Sequence, residues 1–407
     1  MNILEVNYSN TYFAKVDTNI NVIFALKKII HSINYTLKQV IKDLFFVSKN
    51  KSFNDKVICF TNSVNQKNAL APLKDKIDNV IYVGLSKESE NRIPMGFGCI
   101  ISMMLFPIFC YEVVIYKDNR SKILHFFNSY FFIRGMYIWW VIYLKIKKPR
   151  ALIMSNDHLV WHRTLRMAAQ KNSLPVIYIQ HASVTEKFPN LEFDLSLLEG
   201  SDALNKYSKK KIKGDVSLIG LMKYDKFHSF INEKKVINNV GICTNLLDSN
   251  ESIYNLIRSL HQEIAQFNII VRPHPRDKRE KLYENIVKEF KCHISDSNHE
   301  SSFEFLSQVD VNIACETSIH LEAVLLNVYP IYFQLGEEKI DHYGYITNNL
   351  IIDEFKSVSD LKDKLNELKL NRPGVRKRAK YYVDTVGTEY DGRSVEKALI
   401  ELQNYLV

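Results

Sequence analysis

Short apolar runs rich in β-branched residues recur along the chain, and between them apolar residues return every three or four positions. The runs Val57 to Thr61, Val80 to Gly84, Ala151 to Met154, Val176 to Ile179, Asp194 to Leu198 and Val216 to Ile219 read as strands. Val64 to Lys76 and Leu159 to Lys171 read as helices between them. After a polar segment, Asn232 to Asn239, the rhythm repeats with strands Val240 to Thr244, Ile269 to Val271, Val311 to Ala314 and Pro330 to Phe333. Helices are expected over Ser252 to Gln266 and Lys278 to Phe290, and three more close the chain at Val358 to Leu368, Pro373 to Tyr382 and Ser394 to Leu406. Strand runs that are apolar throughout, alternating with helices, build parallel sheets covered on both faces. The prediction is an α/β protein of two such units, with limits 1–55 for an amphipathic N-terminal extension, 56–235 for a first domain and 236–407 for a second.

Three stretches do not fit that rhythm. Val22, Leu26, Ile29, Ile30, Ile33 and Leu37 have helical spacing with lysines on the other faces. Pro94 to Tyr111 is almost wholly apolar, approaching the ~18 residues at which a membrane span must be considered. Gly96, Gly98 and Pro107 interrupt it and Glu112 closes it, so a buried or membrane-contacting helix is expected rather than a spanning one. Phe126 to Leu144 is dense in aromatics and meets Lys145, Lys147, Lys148 and Arg150. Such a run suits either a protein resting on an anionic leaflet or a core helix with a solvated basic end.

The 407 residues exceed what one ordinary core holds, and 46% hydrophobic with 24% charged residues describes a folded chain. The net charge of +9 favours anionic partners. Lysines are dispersed and no nucleic-acid module is recognised, which sets nucleic acid aside; Lys209, Lys210, Lys211 and Lys213 read as a solvated loop. Six cysteines without short pair spacing read as reduced thiols, and the N-terminus has no cleavable-signal pattern, so a cytoplasmic protein peripheral at the inner membrane face is expected.

Chemistry gathers where strands are expected to end. Arg272-Pro273-His274-Pro275-Arg276 follows a strand that the prolines forbid from continuing. In an open α/β sheet, ligands bind beyond the carboxyl ends of the strands, so Arg272, His274 and Pro275 would sit on a phosphate-holding edge, with Thr244 on the neighbouring strand end. Glu316, Thr317 and Ser318 stand where a strand turns into a helix, a position with free backbone N–H groups suited to phosphate. In the first half, Asn156-Asp157-His158 and Gln180-His181 end consecutive strands, and a carboxylate and an imidazole there could deprotonate an acceptor hydroxyl. Asp157 reads equally as a helix cap.

Together these motifs, with Gly220 to Asp225 and Glu322-Ala323, resemble the GT-B class of nucleotide-sugar enzymes, built from two Rossmann-like domains facing a central cleft. More narrowly they resemble bacterial surface-polysaccharide transferases: capsule-type Kdo transferases, sialyltransferases and polysialyltransferases, and teichoic-acid polyol-phosphate transferases. Leu198-Glu199-Gly200 keeps one of the two acids that precede glycine in such sialyltransferases. The resemblance implies a CMP-activated sugar donor of the nonulosonic acid or Kdo type, a lipid-linked or polymeric glycan acceptor, Asp157 or His181 as base, and phosphate contacts from His274 and the hydroxyl turn. It implies no metal. A CDP-polyol phosphotransferase and a UDP-sugar epimerase share the architecture, and a membrane-surface scaffold is the non-enzymatic reading.

Overall fold

The computed structural model describes residues 1–16, 22–47, 52–85, 91–263, 266–336 and 338–406. Two parallel sheets form its frame. The first contains β1 (Val57–Phe60), β2 (Val80–Gly84), β3 (Asn91–Arg92), β4 (Ala151–Met154), β5 (Val176–Ile179), β6 (Leu191–Leu198) and β7 (Ile212–Leu218), in the order β3-β2-β1-β4-β5-β6-β7. The second contains β8 (Asn239–Cys243), β9 (Asn268–Arg272), β10 (His293–Ile294), β11 (Val311–Ala314), β12 (Tyr329–Phe333) and β13 (Asp353–Phe355), in the order β10-β9-β8-β11-β12-β13. The two α/β units expected from the alternation are therefore present. Since every pair is parallel, all carboxyl ends within a sheet share one edge.

The continuous apolar runs are explained by burial on both faces. Val57, Cys59, Ala151, Ile153, Ile177 and Ile179 point to one side of the first sheet. Ile58, Phe60, Leu152, Met154, Val176 and Tyr178 point to the other. This is the period of two that a strand imposes. What sequence pattern missed were the polar or two-residue strands β3, β10 and β13, and the amino-terminal halves of β6 and β7. Lys213 lies on β7 rather than in a solvated loop; β7 is an edge strand, where a charged residue can face water.

The helices used below are α1 (Val22–Val47), α2 (Gly96–Met104), α3 (Phe106–Ile115), α4 (Ile133–Lys147), α5 (Val160–Lys171), α6 (Ser201–Ser208), α7 (Glu280–Phe290), α8 (Ile319–Leu325) and α9 (Ser394–Gln403). The apolar run from Pro94 is two helices, α2 and α3, bent by 68° at Leu105, with Pro107 at the start of the second. No single helix among the described residues is long and apolar enough to cross a membrane. The aromatic run is mostly interior: Phe127, Tyr130, Phe131, Phe132, Trp140 and Tyr143 are buried in the core of the first domain. Of its two readings, core helix is the one the coordinates carry for these rings.

The final helix differs from expectation. Rather than finishing the second domain, α9 returns to the first, where Ala398 and Leu402 pack with Val57, Cys59, Tyr82 and Ile219. The segment before it lies so close to two strand ends that only glycine fits. A Cβ on Gly200 would meet the Tyr382 carbonyl oxygen at 2.4 Å, and one on Gly220, which has φ +77°, would meet Thr385 Oγ1 at 2.1 Å.

Helices α2 and α4 also depend on a glycine contact. A Cβ on Gly135 would lie 2.1 Å from the Gly98 carbonyl oxygen and 2.2 Å from Ser102 Oγ. Gly135→Ala should therefore destabilise the protein by roughly 1–3 kcal/mol in urea denaturation, although alanine is the better helix former. Gly336→Ala, with nothing within 4 Å of the added carbon, should be close to neutral.

Candidate functional site

The ends of β4, β5 and β6 deliver Asp157, His181 and Glu199 to one edge, as parallel register requires. Beyond β4, Asn156 Oδ1 accepts the backbone N–H groups of His158 (3.1 Å) and Leu159 (2.8 Å), an Asx turn that leads into α5. Asp157 is buried, and both its oxygens are used. Oδ1 accepts His158 Nδ1 (2.9 Å) and Oδ2 accepts Tyr207 Oη from α6 (2.6 Å). Burial alone would raise this carboxyl, but the bonds from His158 and Tyr207 and the Arg163 charge outweigh it and hold the group below its ordinary value. Asp157 thus orients His158, whose ring packs on Phe13 and Phe188 at 5.7 and 4.8 Å. Asp157 does not cap α5, whose N-cap is Leu159 with no side-chain cap bond; it pairs with His158.

His181 and Glu199 share a recess with Gln180, Gly220, Leu221 and Lys223. Each has a buried polar atom without a hydrogen-bond partner: His181 Nδ1 and Glu199 Oε1. Ser155 Oγ, at the end of β4, is a third. An unmatched buried polar atom costs about 1–3 kcal/mol, so these three call for a partner, ordered water or a ligand. Burial drives the His181 imidazole down to about 4, leaving it neutral at pH 7. Burial pushes Glu199 up to about 7, with the Lys223 charge pulling against it and Glu322 and Asp202 adding to it. The other Glu199 oxygen accepts Gln180 Nε2 at 3.2 Å, while Gln180 Oε1 accepts the Glu199 backbone N–H at 2.9 Å. The recess is thus lined by a neutral imidazole and by a carboxyl whose value lies near 7.

The second domain faces this recess. Lys223 forms an ion pair with Glu322 on α8, Ser183 Oγ lies 2.7 Å from Tyr345 Oη, and Lys206 Nζ donates to the Tyr343 carbonyl at 3.0 Å. A wider, more open recess at Phe230 to Lys234 and Ser307 lies at the interdomain linker; none of its lining side chains is a buried acid or base left unpaired.

The donor-side residues divide into two groups. Arg272 is buried; its guanidinium donates to Ser295 Oγ (2.7 Å) and the Glu300 carbonyl (2.8 Å) and lies 5.3 Å over Phe305. It holds the turn after β10. Thr244 Oγ1 bonds Tyr283 Oη of α7 at 2.7 Å, and Glu316 accepts the Tyr343 N–H (2.9 Å) and pairs with His342 Nδ1 (3.2 Å). These three, expected to touch donor, tie strand ends to neighbouring elements. Available are His274, Thr317 and Ser318. His274 Nδ1 accepts the Arg276 N–H (3.1 Å), and partial burial with the Arg276 charge lowers the imidazole's affinity for protons. The neutral tautomer then carries its hydrogen on Nε2, a donor for phosphate oxygen. Pro275 is exposed in the turn that the Asp277 N–H closes onto the His274 carbonyl (2.8 Å). Thr317 and Ser318 precede α8, and neither hydroxyl bonds a described residue. Among the described residues no three His, Cys, Asp or Glu side chains gather in a way that could hold a metal ion.

The sequence reading assigned no role to Lys223 or Glu322 and left Glu199 unassigned. All three lie inside motifs it noticed: Glu199 before Gly200, Lys223 within Gly220 to Asp225, Glu322 before Ala323.

Solved structures with the same two-domain arrangement cover nearly their whole length. UDP-GlcNAc 2-epimerase from Neisseria meningitidis bound to UDP-GlcNAc superposes with TM-score 0.54 at 13% identity, covering 85% of this chain and 100% of that one. The fold is GT-B. UDP-GlcNAc 2-epimerase from Methanocaldococcus jannaschii matches with TM-score 0.54 at 13% identity (85% and 99%), and S. aureus MnaA in a co-structure with UDP with TM-score 0.52 at 12% identity (87% and 98%). At these identities the likeness is one of GT-B architecture. Sequence comparison with known families, and with curated proteins, finds no match.

Glu199 generates a pH test. Its folded value lies above its ordinary 4.5, so its favourable contribution is complete below pH 4.5 and is lost as pH rises through about 7. Glu199→Gln should therefore be more stable than the parent at pH 8, by up to roughly 3 kcal/mol, with the difference gone at pH 4. Thermal unfolding of both proteins across that range checks it; equal pH dependence would place the ionisation elsewhere.

Proposed function

We propose that this chain is an enzyme acting on a nucleotide-activated sugar held between its two domains. The observation that carries the reading is the pair of unpartnered buried atoms, Glu199 Oε1 and His181 Nδ1, in one recess at the carboxyl edge of the first sheet. In this reading His274, Thr317 and Ser318 take the nucleotide's phosphates by hydrogen bonds that cost no reorganisation. Glu199, His181 and the Asp157–His158 pair face the sugar. Lys223 and Glu322 stand between the two sides, where a cation can meet the phosphate and a carboxylate a hydroxyl.

Within that class, conversion of a UDP-sugar to its epimer has the most support, because the GT-B structures named above are UDP-GlcNAc 2-epimerases or hold UDP. Epimerisation takes a proton from one face of a sugar carbon and returns one to the other, and the Glu199 and His181 pair supplies one acceptor and one donor. The second reading is sugar transfer from a CMP-activated donor to a glycan hydroxyl, in which the base removes the hydroxyl proton. It draws support from the apolar surface described next, which suits a lipid-linked acceptor. A polyol phosphotransferase has no observation of its own in its favour.

Calorimetry with UDP, CDP and CMP, followed by NMR of UDP-GlcNAc incubated with the protein in deuterated water, separates the readings. UDP is expected to bind more tightly than CMP, and a second UDP-sugar carrying deuterium should accumulate without any acceptor. Preference for CMP with no such product would favour transfer; no response to any nucleotide would remove the class. His274→Ala should weaken UDP binding about tenfold, the equivalent of ~1.4 kcal/mol, whereas Glu199→Gln should leave binding intact and cut turnover at least a hundredfold.

A further inference from the structure

Helix α1 is turned inside out. Its polar residues Ser32, Gln39 and Asp43 are buried, while Ile30, Ile33, Leu37, Ile41, Leu44 and Phe45 are between 44% and 73% exposed. The polar side chains fix this orientation by specific bonds. Asp43 Oδ2 accepts the Met95 and Gly96 N–H groups at 2.8 and 2.5 Å and so caps α2, and Asp43 also pairs with Arg92. Ser32 Oγ donates to Asn128 Oδ1 at 2.5 Å. The apolar stripe therefore faces outward by construction.

Helices α2 and α3, the first of which packs on α1, continue the surface with Phe97, Met104, Ile108, Tyr111 and Val114, each between 43% and 76% exposed. Large apolar side chains gathered outward on three helices are the kind of surface that marks an interaction site. The exposed charge around it is mostly positive, Asp118 between Lys117 and Arg120 being the exposed acid beside α3. The sole acids on α1, α2 and α3 are Asp43 and Glu112, both buried, Asp43 as the cap of α2 and Glu112 in an ion pair with Arg134. Exposed Lys27 and Lys38 lie on α1, Lys117 and Arg120 directly follow α3, and Lys145, Lys147 and Lys148 end α4.

We propose that this face is a docking surface for an anionic phospholipid leaflet, with α1, α2 and α3 lying in the interface and the lysines and Arg120 meeting lipid phosphates. Helices that present apolar side chains between cations bind in this way, through buried apolar area and electrostatic attraction. The 68° bend between α2 and α3 suits elements that lie in the membrane plane. The N-terminal turns run from this domain's helices to His158: Lys122 donates to the Thr11 carbonyl, Thr11 Oγ1 lies 2.8 Å from Tyr130 Oη, and Phe13, two residues on, packs on His158. The surface stands whichever reaction the cleft performs.

Flotation of the full chain with vesicles tests it. Binding is expected to vesicles of phosphatidylcholine with phosphatidylglycerol, at least tenfold weaker to phosphatidylcholine alone, and weaker as salt is raised. The triple substitution Leu37→Asp, Phe45→Asp and Met104→Asp, at exposed positions, should abolish flotation while UDP calorimetry of the same variant matches the parent. Lys27→Glu with Lys38→Glu should remove the preference for the anionic lipid. No flotation of the parent at low salt would overturn the proposal, as would a self-associated parent, by sedimentation, that the triple variant renders monomeric without any vesicle binding. Loss of nucleotide binding by the parent would fail the reading of the cleft and leave the flotation result standing.

Discussion

The close seating of the chain's closing segment on two glycines of the first domain is the constraint on which the cleft depends. Gly200 and Gly220 follow β6 and β7, and the backbone of Tyr382 and the side chain of Thr385 occupy the space where a Cβ would be. Through them, and through α9 packed on the first sheet, the second domain is held with its strand ends toward those of the first. Lys223 with Glu322 and Ser183 with Tyr345 then bridge the two edges. Displacing the closing segment would leave two Rossmann-like units with good cores and no shared site.

The same strand edge carries the electrostatics. Glu199 is followed by Gly200, and the Glu199 backbone carbonyl accepts the Asp384 N–H at 2.9 Å, which ties this strand end to the closing segment. A carboxyl in that position, near Glu322 and Asp202 with a single lysine opposing them, holds its proton to about pH 7. Asp157 is equally buried and goes the other way, because His158 and Tyr207 donate to both its oxygens. Two buried acids on the same sheet edge thus shift in opposite directions, because donated bonds and nearby cations favour the charged form and burial among other acids favours the neutral one.

The first domain has two unusual surfaces. One is the strand edge, polar and partly unsatisfied. The other is the α1, α2 and α3 face, apolar and rimmed by cations. Each departs from the rule that polar groups face water and apolar groups face the core, and each leaves contacts that a partner other than water is fitted to make. The aromatic run that separates them in sequence is the core that holds them together: Trp140 and Tyr143 lie inside, and Trp139 Nε1 and Trp140 Nε1 both donate to the Pro94 carbonyl at the base of α2.

The sequence by itself determined the α/β class, the two sheets and the positions of their central strands. Strands such as Val57–Phe60 and Ala151–Met154, buried on both faces, are apolar throughout and so announce themselves as apolar runs. It also brought Asp157, His181 and His274 to strand ends, since proline and capping residues mark those locally. The edge strand β13 and the amino-terminal half of the edge strand β7 stayed hidden because water satisfies their outer side and relaxes the pattern. Only the tertiary structure decided that Arg272, Thr244 and Glu316 are consumed by neighbouring elements, that Glu199 is left with a free oxygen, and that α1 faces its apolar side outward. Those outcomes depend on partners distant in sequence: Glu300, Tyr283, Tyr343, Asp384 and Gly96. A side chain's type fixes which bonds it can make; the fold fixes which of them are already made.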